Sequence, residues 1–175
     1  MWLRTVSHFP AYRGGMRTES AEFLAALPRK RMGSGALFVD ESDRILLVEP
    51  TYKDHWEFPG GVVEADESPY ATAVREIQEE LGMAVTLGPL LVLDWIPPRG
   101  DHSEGVMLLF DGGVLTARTA AAIELQAEEL RSWAWSDDAE IAQRLPDFMT
   151  RRALAARRAR KLGATAYLEY GFPVG

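Results

Sequence analysis

The sequence contains no cysteine. That excludes disulfides, a thiol nucleophile and a thiolate metal site, and it suits a reducing compartment. No apolar run approaches the ~20 residues a membrane-spanning helix needs. The opening Met1-Trp-Leu-Arg-Thr-Val-Ser-His8 is not followed by the apolar core of a secretory leader. A cytoplasmic protein with no membrane partner is therefore expected. Histidine is scarce, and His8 and His55 stand isolated and receive no role. Positive charge is in deficit: 19 Lys and Arg face 26 Asp and Glu, leaving a formal net charge of -7. An acidic protein does not attract phosphates unaided. A phosphate-bearing substrate would have to meet it through cations.

What is present is enough for one domain with a sizeable core. The chain has 175 residues, 47% of them hydrophobic and 26% charged. Three stretches are expected: an N-terminal arm with a short helix (1–30, the helix over 19–27), a main domain (31–146), and a basic C-terminal helix and tail packed on that domain (147–175). Gly35–Asp40 and Arg44–Glu49 read as strands about a polar turn. Trp56-Glu-Phe-Pro-Gly-Gly61 is a short extended piece ending in a loop. Ala84–Trp95, Val106–Phe110 and Leu130–Trp135 read as further extended segments, with a turn at Asp111-Gly-Gly113. Helices are expected over 68–81, 137–145 and 147–162, the last two split by Pro146. This mixture, without regular β-α-β alternation, predicts an α/β protein with a mixed sheet covered by helices.

The segment after Gly61 carries an unusual density of charge. Ser68 is a good N-cap, Pro69 suits the first helical position, and Gly82 suits the stop. At about 100° per residue, Glu76, Glu79 and Glu80 share one face, while Tyr70, Val74, Ile77 and Leu81 collect on another. Like charges at these spacings repel, and acids in a last helical turn oppose the helix dipole. Each effect is worth only a few tenths of a kcal/mol. A solvated acidic face tolerates that cost; a bound hard divalent cation would reverse it.

Gly61, Glu67, Arg75-Glu76, Ile77, Glu79-Glu80, Gly82 and Met83 match the Nudix box at every defined position. Seven fixed identities at roughly 5–7% each coincide by chance about once in 10⁸–10⁹ windows. The chain thus resembles the Nudix hydrolases. The resemblance implies an α/β/α sandwich with a catalytic loop-helix-loop. It implies a Mg²⁺- or Mn²⁺-dependent pyrophosphohydrolase that uses water to cleave a nucleoside diphosphate linked to another moiety. Carried over by position, Gly60 (through its carbonyl), Glu76, Glu79 and Glu80 are the expected metal ligands. Arg75 should hold a box carboxylate in place, and Glu67 should complete the loop geometry or bind metal through water. Glu79 is the first choice for the base, with Glu128, Glu129 and Glu104 as candidates outside the box.

Substrate selection is less legible. Nucleobases stack on aromatic rings, which singles out Tyr52, Trp56, Phe58 and Trp95. Arg99 and His102, in the loop 98–104, are candidate phosphate or sugar contacts. The run Arg151–Lys161 is rich in arginine; with Phe148, Ala155, Ala159 and Leu162 as an apolar stripe, it reads as a helix packed on the body with a basic outer face. A polyanion-binding face, as an RNA 5′-end pyrophosphohydrolase would use, is the other reading of that run. A small nucleotide-type molecule is the expected partner, nucleic acid is not, and a homodimer is compatible with the family. A binding or sensor module on the same fold is the competing function. An isomerase branch that relies on cysteine is set aside, because there is none.

Overall fold

The computed structural model describes residues 21–174. Most of the expected N-terminal arm lies outside them; within them a short helix α1 spans Ala21–Ala26. Strand β1 (Arg31–Val39) turns at Asp40 into β2 (Ile45–Pro50). Asp40 builds that turn: its Oδ1 accepts the amides of Ser42 and Arg44, each at 2.9 Å. Both strands are apolar on both faces. Leu37, Val39, Ile45 and Leu47 enter one core; Ala36, Phe38, Leu46 and Val48 enter another. A strand with two apolar faces must be covered twice. Helix α2 (Pro69–Leu81) covers one face through Ala73, Ile77 and Leu81. Helices α4 (Asp138–Arg144) and α5 (Asp147–Leu162) cover the other through Ile141, Met149, Ala153 and Ala156. The result is the expected α/β sandwich with a mixed sheet.

The sheet is completed by β3 (Gly60–Val62), β4 (Leu90–Ile96), β5 (Gly105–Val114), β6 (Leu130–Ser136), β7 (Ala166–Glu169) and β8 (Phe172–Pro173); a four-residue helix α3 (Ala117–Ala120) follows β5. The order is β6-β2-β1-β5-β4-β7-β8, with β3 on β1. β1 lies parallel to β5 and antiparallel to β2 and β3. β3 therefore delivers the Gly-Gly segment beside the N-terminal half of β1, where Gly33, Ser34 and Gly35 face Val62, Gly61 and Gly60. Gly35 is required there, since a β-carbon on it would overlap the Pro59 carbonyl.

Several expectations change in the folded chain. Asp111-Gly-Gly113 is not a turn; β5 runs through it to Val114. The pairing steps from Leu37–Asp111 to Phe38–Gly113, so Gly112 is a bulge residue. A β-carbon at Gly112 would strike the Phe38 ring, which explains the glycine. The segment 84–89 is irregular, and β4 starts only at Leu90. The buried stripe of α5 is Met149, Arg152, Ala153, Ala156 and Ala159. The stripe expected to include Leu162 is displaced, and Leu162 is 67% exposed. The sequence gives no sign of β7, which adds to β4 in parallel, nor of β8.

Candidate active site

Helix α2 is set in place by its two ends. Ser68 Oγ accepts the Ala71 amide, and Gly82 closes the helix at φ 67° with its amide on the Gln78 carbonyl. Tyr70 pins the helix to the irregular segment after it, since its hydroxyl both donates to the Leu87 carbonyl and accepts the Leu87 amide at 3.1 Å. With Ile77 and Leu81 fully buried, the rotation of the helix is fixed and so are its glutamates.

Arg75 lies at the centre of the charged network. Its Nε and Nη2 donate to the two oxygens of Glu67, each at 3.0 Å. Its Nη1 donates to Glu76 Oε1 and Glu79 Oε2, each at 2.9 Å. Glu67 also accepts the Thr72 hydroxyl at 2.7 Å. These bonds to Arg75 and Thr72 hold the Glu67 carboxyl down at about 2. Burial raises Glu76, against the opposing pull of Arg75.

Glu80 behaves differently. It does not join Glu76 and Glu79 on an open face but turns inward, 6% exposed, where its Oε2 accepts the Gly60 amide at 2.8 Å. Burial, with Glu76, Glu57 and Glu129 nearby, pushes its carboxyl up to about 8 despite the Gly60 hydrogen bond. Gly61 packs against Glu76 so closely that any β-carbon would overlap the carboxylate. The two glycines thus admit carboxylates and strand β1 rather than merely leaving the loop bare.

These groups line a cleft of about 1150 Å³. Phe58, Gly60, Glu67, Arg75, Glu76, Glu79 and Glu80 are among its walls, together with Tyr52 and Glu129. The other sequence candidates stand elsewhere. Trp56 packs on the core with Arg144 over its ring at 4.8 Å. Trp95 donates through Nε1 to Glu104, which also pairs with Lys30. Arg99 and His102 exchange backbone hydrogen bonds, and the Arg99 guanidinium lies over Tyr170. Glu128 offers its backbone carbonyl to Thr51. None of these five lines the cleft, and neither does Glu104.

Among the cleft residues that the sequence did not assign to the site are Glu57, Phe148 and Arg152. Arg152 carried a signal, being a charge set between Met149 and Ala153 on the buried stripe of α5. Three other cations of the basic run are engaged in ion pairs, while Arg158 is exposed. Arg157 pairs with Asp138, Arg160 with Asp111 and Lys161 with Asp43.

The donor chemistry suits a hard divalent cation. It is all oxygen, partly buried, and carboxylates repel one another across it. Among the described residues no three such side chains converge in a ready cage. Glu76 and Glu79 are bonded to Arg75 Nη1, whereas Glu80 is bonded to the Gly60 amide.

Fold and site together define a mixed-sheet α/β protein that presents glutamates from a loop-helix-loop into a single cleft. A family model described as NUDIX domain matches residues 29–158, and the chain belongs to the Nudix hydrolases. It is 26% identical over 129 residues to a MutT-like protein of Streptomyces ambofaciens, covering 74% of this chain and 78% of that one. It is 41% identical over 64 residues to human diphosphoinositol polyphosphate phosphohydrolase 2, but that match spans only 36% of either protein. Among solved structures, a UDP-X diphosphatase superposes with a TM-score of 0.65 at 19% identity, covering 86% of this chain and 75% of that one. No helix among the described residues is long and apolar enough to cross a membrane.

Proposed function

We propose that this chain is a divalent-metal-dependent pyrophosphohydrolase. Its substrate is a nucleoside diphosphate linked to another moiety, the class of nucleoside triphosphates, ADP-ribose and nucleotide sugars. The observation that carries this reading is the buried Glu80, fixed by the Gly60 amide beside the Arg75–Glu67–Glu76–Glu79 network at the wall of one cleft.

Glu76, Glu80 and the Gly60 carbonyl would hold Mg²⁺ or Mn²⁺, with Glu79 either a further ligand or the base. When bound, the ion neutralises phosphate charge and lowers the pKa of water on it. Arg75 keeps Glu67 and Glu76 oriented in the absence of substrate. Glu79 is 51% exposed at its side chain and is bonded only through Arg75 Nη1, so it is free to take a proton from an attacking water. Glu129 also faces the cleft and is the next candidate base; Glu128 and Glu104 lose that standing by position. Phe58 contributes an apolar wall for the substrate. The locations of Trp56, Trp95, Arg99 and His102 leave them out of direct contact with a ligand in the cleft.

The test is a phosphate-release screen with Mg²⁺ or Mn²⁺. The panel holds nucleoside triphosphates, ADP-ribose, nucleotide sugars, dinucleoside polyphosphates and triphosphorylated RNA. Metal-dependent release that Glu80→Gln abolishes is the expected outcome. Within the same assay Glu79→Gln should lower turnover by about 10²–10⁴-fold, the usual worth of a general base. A loss under about tenfold transfers the role to Glu129. A folded wild-type protein that releases nothing across the panel overturns the hydrolase reading in favour of a binding module.

A further inference from the structure

The cleft is built from both helical layers. α2 supplies the glutamates from one side of the sheet, and α5 supplies Arg152, Phe148 and Met149 from the other. Arg152 is 4% exposed, yet it lines the cleft. Its Nε donates to Asp94 Oδ2 at 2.8 Å. Asp94 is fully buried, and its second oxygen accepts the Gly171 amide at 3.0 Å. The guanidinium also lies 5.4 Å from the centre of the Phe148 ring, which is itself stacked on Tyr170 at 4.7 Å. The group is therefore locked in orientation. No acceptor among the described residues takes Nη1 or Nη2. Among the described residues the only buried side-chain nitrogen without a partner is Arg151 Nε, so Arg152 Nη1 and Nη2 open onto the cleft, where acceptors of a ligand can meet them.

The surroundings narrow the ligand chemistry. Asp94 already balances the charge of Arg152. The rest of the cleft carries more glutamates than lysines and arginines, so a further anion at this position is poorly matched. The adjoining walls are apolar: Phe58, Met107, Phe148 and Met149. A flat, uncharged ring with acceptors on one edge fits both facts. Arginine has donors only. The O6/N7 edge of guanine offers two adjacent acceptors, whereas adenine offers one acceptor and one donor.

We propose that Arg152 reads the base of the substrate, its two free terminal nitrogens donating to the O6/N7 edge of guanine, with Asp94 and Phe148 as the positioning groups. The proposal rests on the hydrolase reading above and adds the base it selects: guanine carrying an unmodified N7, in preference to adenine or to an oxidised guanine whose N7 bears hydrogen.

The test uses mononucleotides. They have no diphosphate to cleave, so the outcome is independent of turnover. Calorimetry of the full chain compares GMP, AMP, 7-deaza-GMP and 8-oxo-GMP. GMP should bind at least about tenfold more tightly than the other three, the worth of a lost arginine–guanine pair. Arg152→Lys keeps a cation on Asp94 but removes the fork; GMP should then fall to the level of AMP while AMP is unchanged. Should that variant not fold, the paired replacement Asp94→Asn with Arg152→Gln removes both buried charges and carries the same expectation. Equal binding of GMP and AMP overturns the proposal. So does a preference for GMP that survives in either variant, or inorganic phosphate displacing all four nucleotides alike through Arg152. A hydrolase that acts on the panel above with no base preference would sink this inference and leave the function standing.

Discussion

Arg75 and Glu67 show how much of the site one residue pair can set. Arg75 touches three carboxylates, but only Glu67 receives two of its nitrogens. The Glu67 carboxyl sits at about 2, below its ordinary 4.5. A lowered folded value means that the pair's contribution to stability is fully present above about pH 4.5 and is lost as the pH falls toward about 2. Thermal melts of wild type and Glu67→Gln should therefore differ most near neutral pH and converge in acid. A gap that stays constant down to pH 2 would remove Glu67 from that role. Glu80 is the counterpart. The same residue type, four positions after Glu76, is shifted upward because it is buried among other acids and meets a single amide rather than a guanidinium. The pattern of glutamates was readable from spacing; which one turns inward was not, because that depends on where β3 brings Gly60.

At the scale of elements, the helices were the most legible. Ser68, Pro69 and Gly82 mark the ends of α2 by local chemistry alone, and α5 begins and ends where Pro146 and Gly163 require. β5 was misread because two consecutive glycines usually mark a turn. Here one of them is a bulge that makes room for Phe38 across the parallel pair. A glycine with that job cannot be told from a turn glycine without its neighbour. Gly112→Ala should accordingly force the Phe38 ring aside and cost about 1–3 kcal/mol, as overpacking of a core does. Urea denaturation followed by circular dichroism measures it; a change under about 0.5 kcal/mol would show that the bulge has slack.

The whole molecule depends on its last residues. β7 adds to β4 in parallel, Gly171 gives its amide to the buried Asp94, and Tyr170 stacks on Phe148. Deleting residues 164–175 exposes the β4 edge and strips a buried carboxylate of a donor. A hydrogen bond to a charged group is worth about 1.5–3 kcal/mol, so the melting temperature should fall by at least about 3 °C. An unchanged melt would show these strands to be an appendage. By itself the sequence determined the fold class, the ends of the central helix and which helix brings glutamates to the cleft. Those follow from periodicity, caps and fixed spacings, which act over a few residues. Only the tertiary structure decided that Glu80 is buried, that Trp56, Trp95, Arg99 and His102 lie off the cleft, and that an arginine from the far helical layer reaches into it. Those outcomes turn on contacts between residues tens of positions apart, such as Arg152 with Asp94, and nothing in the local sequence encodes which distant partner a side chain will meet.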